Sequence, residues 1–273
     1  MTWMAVRVRP GAARDQALAA LFTAGSEGVH EAGDELVTHF PATAAIDAIT
    51  AAVLAADPGA EVHVSAVPEM DWTEDWKKGV RAHDLGALSI VPPWLASGRD
   101  PSRTVVIEPQ MAFGTGEHET TRGVVRLMQH VVRRGDRVAD LGSGSAVLSI
   151  AAAKLGAKTV VGIEIDPDSI ANARENVERN AAGACVTIIE GDATIMLPLI
   201  APVHVVLANI ISSVLLELLP LIARSLTPDG RAILAGMLLE ERDMMRGALQ
   251  AAGWSIRDED TEGAWWSATI VRR

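Results

Sequence analysis

From about residue 103 onward the chain keeps a single rhythm. Short apolar runs rich in valine and isoleucine, "TVVIEP", "RVADLGSG", "TVVGIEID", "CVTIIEGD", "HVVLANI" and "RAILAG", each lead into a turn. Helical stretches around 119–133, 145–156, 167–181, 211–226 and 238–252 lie between them. A strand that is apolar throughout has no solvated face, so the alternation predicts a mostly parallel sheet covered by helices on both sides. The closing stretch "WSIRDEDTEGAWWSATIVRR" has two strand-like segments with little helix between them. It is expected as an antiparallel hairpin at the sheet edge.

Residues 1–67 keep a different rhythm. "WMAVRV" has period two, "ARDQALAALFTAG" has helical spacing, and "GVHEAGDELVTHF" reads as a hairpin turning at Gly33-Asp34. A second helix over "TAAIDAITAAVLAAD" and a last strand, "AEVHVSAV", complete the order β-α-β-β-α-β. That order predicts a small ferredoxin-like α+β domain, an arrangement common in recognition modules. The module carries Arg7, Arg9 and Arg14 and no lysine, against eight acidic residues. Its charge suits a basic partner, and the same acidity would also keep a small module soluble. Between the two regions, Pro68, Pro92, Pro93 and Pro101 punctuate a segment that contains Trp72, Trp76 and Trp94. Tryptophans are costly to leave in water, so residues 68–102 are expected as a linker that packs, with the α/β domain over 103–273.

The whole chain has 273 residues, with 24 basic and 35 acidic side chains and a formal charge of −11. Such a balance repels a phosphate backbone and argues against direct nucleic-acid binding. The alanine-rich run at 44–56 is broken by Asp47, and the N-terminus has no apolar core of the kind a signal peptide needs. A cytoplasmic protein with no membrane span is expected. The one cysteine, Cys185, excludes an internal disulfide framework and a cysteine-rich metal site, and its apolar neighbours place it in the core. No metal is expected.

The central signal is "VADLGSGSAVLSIAAAKLGA" at 138–157, where a strand ends at Asp140, a turn built on Gly142 and Gly144 follows, and a helix begins. Ligands of doubly wound sheets sit outside the carboxyl ends of strands, and glycines there let the backbone come close to a cofactor. A dinucleotide enzyme wants G-x-G-x-x-G with pyrophosphate on the helix N-terminus. Here the third position is Val147, and Asp140 directs a negative charge toward the turn. A carboxylate there would repel pyrophosphate but suits the cationic ammonium or sulfonium end of S-adenosylmethionine. Glu164, 22 residues after Gly142, ends the next strand where an acid grips ribose hydroxyls in either cofactor class. Asp192 follows the third strand and could accept from an adenine amino group, or simply serve a turn. Asn209 ends the fourth strand, and its amide oxygen could orient an amine for methyl transfer. A base-flipping adenine methyltransferase would want a stacking aromatic beside it. The neighbours are Ile210 and Ile211, and the chain has no tyrosine.

The segments "IEPQMAFGTGEHETT", "DLGSGSAVLSIAAAKLGA", "GIEIDPDSIANARENVERN" and "LANIISSVLLELLP" together resemble the PrmA family, the methyltransferases of ribosomal protein L11. The resemblance runs from about Trp72 to the C-terminus, and the preceding βαββαβ module fits the family's substrate-binding domain. It implies a Rossmann-like class I methyltransferase domain with a seven-stranded, mostly parallel sheet. It also implies transfer of methyl groups from S-adenosylmethionine to lysine side chains and the N-terminal amine of that ribosomal protein. By position, the resemblance gives cofactor-binding roles to Thr121, Gly142, Glu164 and Asn209. The loop Phe113-Gly114-Thr115-Gly116 would then fold over the cofactor and line the channel by which the amine arrives. His118 is a candidate for removing the amine proton, with a structural hydrogen bond as its alternative role. Glu108 and Glu117 are candidates for holding the incoming ammonium.

Three positions depart from the family pattern. Ala146 stands where many methyltransferases have a third glycine, Glu164 where the acid is usually Asp, and Gln110 where the motif usually has Gly. The first two leave cofactor binding intact on size and chemistry, while Gln110 bears on the geometry of the entry loop. Two other readings stay open: a related lysine methyltransferase acting on another basic protein, and a cofactor-binding assembly factor without catalysis. A nucleotide-dependent oxidoreductase is the rival that the charge of Asp140 disfavours.

Overall fold

A computed structural model describes residues 3–26, 28–66, 79–110 and 112–273. The chain divides into two compact units, Met1–Gly79 and Val80–Arg273. In the first, strands β1 (Trp3–Arg9), β2 (His30–Ala32), β3 (Glu35–Pro41) and β4 (Glu61–Ala66) form an antiparallel sheet in the order β2-β3-β1-β4. Helices α1 (Arg14–Thr23) and α2 (Ile46–Ala56) provide the second layer. Alternation along the strands puts Val6, Val8, Leu36 and Phe40 on one face, where they meet Leu21 of α1 and Val53 of α2 in a separate apolar core. This is the expected ferredoxin-like order, with the hairpin turning at Gly33-Asp34.

The second unit opens with a three-stranded sheet, β5 (His83–Asp84), β6 (Ser89–Val91) and β7 (Thr104–Val106), in which β6 pairs antiparallel with β5 and parallel with β7. Two sequence expectations meet this region. In the segment read as a linker, His83–Asp84 and Ser89–Val91 are strands of this sheet, while Pro68, Trp72 and Trp76 lie outside the described residues. The run "TVVIEP" was expected among the strands of the large parallel sheet, and it belongs to the small one instead. Its other edge is met by a side chain. The Asn180 amide accepts from Val106 N at 2.9 Å and donates to Val106 O, which occupies the strand edge that another strand would need.

The large sheet has seven strands in the order β10-β9-β8-β11-β12-β14-β13. They are β8 (Arg137–Leu141), β9 (Thr159–Glu164), β10 (Val186–Glu190), β11 (Val203–Asn209), β12 (Leu226–Leu238), β13 (Trp254–Glu262) and β14 (Trp265–Arg272). Only β14 runs against the rest, so the expected edge hairpin and mostly parallel sheet are both present. One face carries Val138, Val160, Val205 and Leu207 against α3 (Glu119–Val131), α4 (Val147–Lys154) and α5 (Pro167–Arg179). The other carries Ala139, Val206 and Ala208 against α6 (Ala193–Ile200), α7 (Ser212–Ser225) and α8 (Arg242–Ala251). Neighbouring residues of one strand thus serve opposite cores, which is why these strands are apolar throughout.

Helix α6 lacks a helical pattern in the sequence. Its segment "ATIMLPLI" has no polar face and holds Pro198. It forms because Asp192 caps it, accepting from Thr194 N at 2.7 Å, and because Leu197 is fully buried. Among the described residues no helix is long and apolar enough to cross a membrane.

Candidate cofactor and methyl-transfer site

The parallel registers align the carboxyl ends of β8, β9, β10 and β11 along one edge. Leu141 pairs with Ile163 and with Ala208, and Glu164 pairs with Glu190. Strand β8 is followed in sequence by its neighbour on one side, β9, whereas β11 lies on its other side, so a crevice opens where the strand order reverses. Gly142 and Asn209 stand at that crevice, each one residue beyond the Leu141–Ala208 pair.

The turn after β8 is fixed by backbone donors. Gly142 N and Ser143 N donate to Ile163 O at 2.9 and 3.1 Å, and Gly144 N donates to Glu164 Oε2 at 2.7 Å. Gly144 has φ +50, and a Cβ on it would lie 2.5 Å from Phe113 O. That close approach is the seat of the Phe113–Gly116 loop. Ser145 N donates to Phe113 O at 2.9 Å and Ser145 Oγ to Gly114 O at 2.7 Å. Gly114, at φ +100, would bring a Cβ to 3.0 Å from Ser145 Oγ and 3.1 Å from the Val147 side chain. The loop glycines and the turn glycine therefore serve one interface, backbone against backbone.

Asp140 is fully buried. Its Oδ2 accepts from Ser149 Oγ at 2.7 Å, while Oδ1 is buried without a partner among the described residues. Burial pushes its pKa up to about 7, the Ser149 hydrogen bonds pull the other way, and the charge of Glu164 adds to the rise. Two further buried hydroxyls, Thr121 Oγ1 on the first turn of α3 and Ser143 Oγ in the turn, also lack partners. Buried polar atoms are ordinarily satisfied, so the bare carboxylate oxygen of Asp140 fits a ligand group that donates hydrogen bonds or carries a positive charge.

Glu164 ends β9, as the sequence predicts, and its carboxylate also holds backbone N–H groups. Oε1 accepts from Ile165 N at 2.9 Å and Asp166 N at 3.0 Å, and Oε2 holds Gly144. An ionised carboxylate has about four acceptor positions, so room for a ribose hydroxyl remains. Asp192 caps α6, and its hydrogen bonds to Thr194 hold its carboxyl below the usual range. It also lines a pocket of about 300 Å³ with Gly142, Ile163, Ile165, Ile210 and Glu217, a slot that is apolar with carboxylates at its margin. The Asn209 side-chain amide makes no hydrogen bond among the described residues.

The entry loop shows how the remaining candidates are used. His118 is the N-cap of α3, with Nδ1 at 3.3 Å from Thr120 N and 2.8 Å from Thr120 Oγ1. Its ring lies between Phe113, at 5.1 Å, and Trp265, at 4.8 Å between centroids. Phe113 itself is 52% exposed at the loop's edge, and Thr115 Oγ1 accepts from Glu117 N at 3.4 Å. Glu108 is matched by Arg179 at 3.4 Å, and Glu117 accepts from Arg81 N and pairs with His83. Glu108 thus already has a cation partner, whereas the contact with His83 neutralises Glu117 only when the imidazole is protonated. Gln110 reaches Glu175 at 3.3 Å. Cys185 stays apart, donating to Ala157 O at 3.2 Å, with its thiol pushed up by burial.

Several residues that build the site went unread in the sequence. Ser149 holds Asp140, and the Asn172, Asn176 and Asn180 side chains fasten residues 106–108 to α5. Asn176 accepts from Glu108 N at 2.9 Å and donates to Ser145 O at 3.1 Å, which joins the entry strand to the turn. The spacing of these asparagines, four apart along one helix face, was the available signal.

Comparison with known proteins follows the same line. A family model described as Ribosomal protein L11 methyltransferase (PrmA) matches residues 12–273. The ribosomal protein L11 methyltransferase of Thermus thermophilus is 35% identical over 253 residues, covering 93% of each chain. That of Exiguobacterium sibiricum is 36% identical over 214 residues, covering 78% of this chain and 67% of its own. The crystal structure of a ribosomal protein L11 methylase from Lactobacillus delbrueckii subsp. bulgaricus matches with a TM-score of 0.61 and 29% identity, over 71% of this chain and 99% of that one. With a crevice suited to a cationic, donor-bearing cofactor and this coverage, the chain belongs to the ribosomal protein L11 methyltransferase family.

Proposed function

We propose that this protein transfers methyl groups from S-adenosylmethionine to lysine side-chain and N-terminal amines of ribosomal protein L11. The observation that carries the reading is a buried Asp140 with one unpartnered carboxylate oxygen, at the crevice where Asn209 ends β11. S-adenosylmethionine supplies an electrophilic methyl group on a sulfonium centre. Asp140 and Thr121 would receive its charged methionine end, the Gly142–Gly144 turn would let it approach the backbone, Glu164 would accept from ribose, and Asp192 would accept from the adenine amine.

Transfer to an amine needs a neutral lone pair in line with the bond that breaks. A lysine amine ordinarily titrates near about 10.4, so the site must favour its neutral form. Burial beneath the Phe113–Gly116 loop disfavours the ammonium. Asn209 would accept one amine N–H through its amide oxygen and so aim the lone pair. His118 already engages Nδ1 in capping, so any proton it takes from the amine goes to Nε2.

Capture of the protein substrate falls to the unit that contains residues 1–67, whose acidic balance complements a basic ribosomal protein. This reading places the enzyme in the cytoplasm. The test is peptide mass spectrometry of ribosomal protein L11 from the same organism after incubation with enzyme and S-adenosylmethionine. Mass gains of one methylene per transfer at lysines or the N-terminus support the reading. A protein that binds S-adenosylhomocysteine yet leaves L11 unmodified would refute L11 as substrate and direct the search to other basic proteins.

A further inference from the structure

The entry loop is held on the side away from Gly144 by a group that the reaction scheme does not use. Arg122, on the first turn of α3, is 11% exposed, and its guanidinium joins three segments. It donates to Gly116 O at 3.2 Å and to Glu117 O, both within the loop. It donates through Nε and through the other terminal nitrogen to Glu262 Oε1, at 2.9 and 2.6 Å, at the end of β13. Glu262 in turn accepts from Arg126 at 2.7 Å, and Arg126 makes a two-pronged pair with Asp260 at 2.6 and 2.8 Å. Past Gly263 the hairpin returns at Trp265, whose ring meets His118 of the same loop.

We propose that Arg122 and Glu262 are positioning residues for methyl transfer: they clasp the Phe113–His118 loop between the C-terminal hairpin and the Gly144 turn, and so set how long the cofactor is retained. The inference rests on the cofactor reading above. Two loop carbonyls and a carboxylate around one planar guanidinium define the loop's height over the crevice in a way that a flexible, point-charge lysine cannot. Loop carbonyls on one side of the fork and the hairpin on the other make the clasp a single unit. The opposite side of the same loop is bound to the cofactor turn through Ser145 and Gly144. A loop released by Arg122 loses its register there, and loops that close over a site move kcat and KM together.

The test uses the full-length protein and two variants, Arg122→Lys and Glu262→Gln, with S-adenosylhomocysteine as the probe. Its dissociation rate is read by stopped-flow competition, alongside kcat and KM for S-adenosylmethionine and thermal melting. Both variants should release the probe about tenfold faster, raise the cofactor KM and lower kcat, and the double variant should be no worse than either single, because all three break one clasp. Melting within a few degrees of the parent is expected, since the Arg126–Asp260 ion pair remains in both variants. Wild-type release rates in both variants would overturn the proposal, as would additive effects in the double variant. A parent protein that binds the probe but does not methylate L11 would refute the proposed substrate, and the release rates would still judge the clasp.

Discussion

Replacing Asp140 by Asn separates the electrostatic part of this site from its shape. Asp140 is fully buried and its pKa stands at about 7 against 3.8 for the ordinary group. A folded-state pKa raised in an acid means that the fold favours the protonated form. The contribution is fully present below pH 4 and is lost as pH rises through about 7, so above that the folded protein carries a buried charge that the unfolded chain would hold in water. At about 1.4 kcal/mol per pH unit the rise corresponds to about 4 kcal/mol. Asparagine keeps the shape and cannot ionise. Its buried N–H costs about 1–3 kcal/mol where Oδ1 stood, but that cost does not change with pH. The difference in urea-unfolding free energy between variant and parent, both without cofactor, should therefore shift in the variant's favour by about 4 kcal/mol between pH 4 and pH 8. The variant should also lose affinity for S-adenosylmethionine. The parent should release a proton on binding it near pH 6, seen by calorimetry in buffers of different ionisation enthalpy. A difference that stays flat within about 1 kcal/mol across that range would refute the account of Asp140 as a carboxylate held out of water.

Substitutions elsewhere at the site test the remaining assignments. Gly144→Ala puts a Cβ 2.5 Å from Phe113 O at φ +50, so S-adenosylhomocysteine affinity should fall by at least about tenfold by calorimetry, since a backbone atom cannot yield cheaply; full affinity would contradict the docking interface. Ala146 sits at φ +66 with no exposure, so Ala146→Gly, measured by urea unfolding, should be neutral within about 1 kcal/mol because relieved strain offsets the lost methyl. Ala151→Gly, equally buried but within α4, should cost about 1 kcal/mol more. Asn209→Ala should lower kcat on the order of a hundredfold with little change in cofactor affinity, and an unchanged rate would remove Asn209 from amine alignment. A chain of residues 68–273 should keep cofactor affinity and lose most methylation of the protein substrate; equal methylation would refute the recognition role of the first 67 residues.

The parts of the fold that could be read in advance are those written in local periodicity. Val138, Val160 and Val205 sit in runs with no polar alternation, and such runs must be buried on both faces. The parallel sheet follows from that. The strand at Thr104–Val106 looks the same in sequence but pairs with Ser89–Val91, and its other edge is met by Asn180, 74 residues away. Helix α6 was missed because "ATIMLPLI" lacks the polar stripe that marks a helix and is held by its cap and one buried leucine. At the site, the position of Asp140 at a strand end was legible, but its partner Ser149 and its lone oxygen were not. The Arg122–Glu262 clasp joins residues 140 apart in sequence, and no local pattern announces it.

The two acids at the head of the crevice look equivalent in sequence, and the fold treats them in opposite ways. Glu164 receives three backbone N–H donors and holds both the turn and the start of α5. Its extra methylene over Asp lets one carboxylate span Gly144 on one side and Ile165-Asp166 on the other, so the departure from the usual residue has a structural use. Asp140 receives one hydroxyl, keeps an oxygen bare, and has its pKa raised further by Glu164 itself. The better Glu164 is held, the more fixed is the negative field at Asp140, and the more the ionised state of Asp140 depends on a cation arriving. Proton loss and cation binding at Asp140 are therefore linked, so cofactor affinity should rise with pH up to about 7 and level off above it. Calorimetric titration of S-adenosylmethionine from pH 5.5 to 8.5, with Asp140→Asn as the flat reference, would display that rise; an affinity independent of pH in the parent would break the linkage.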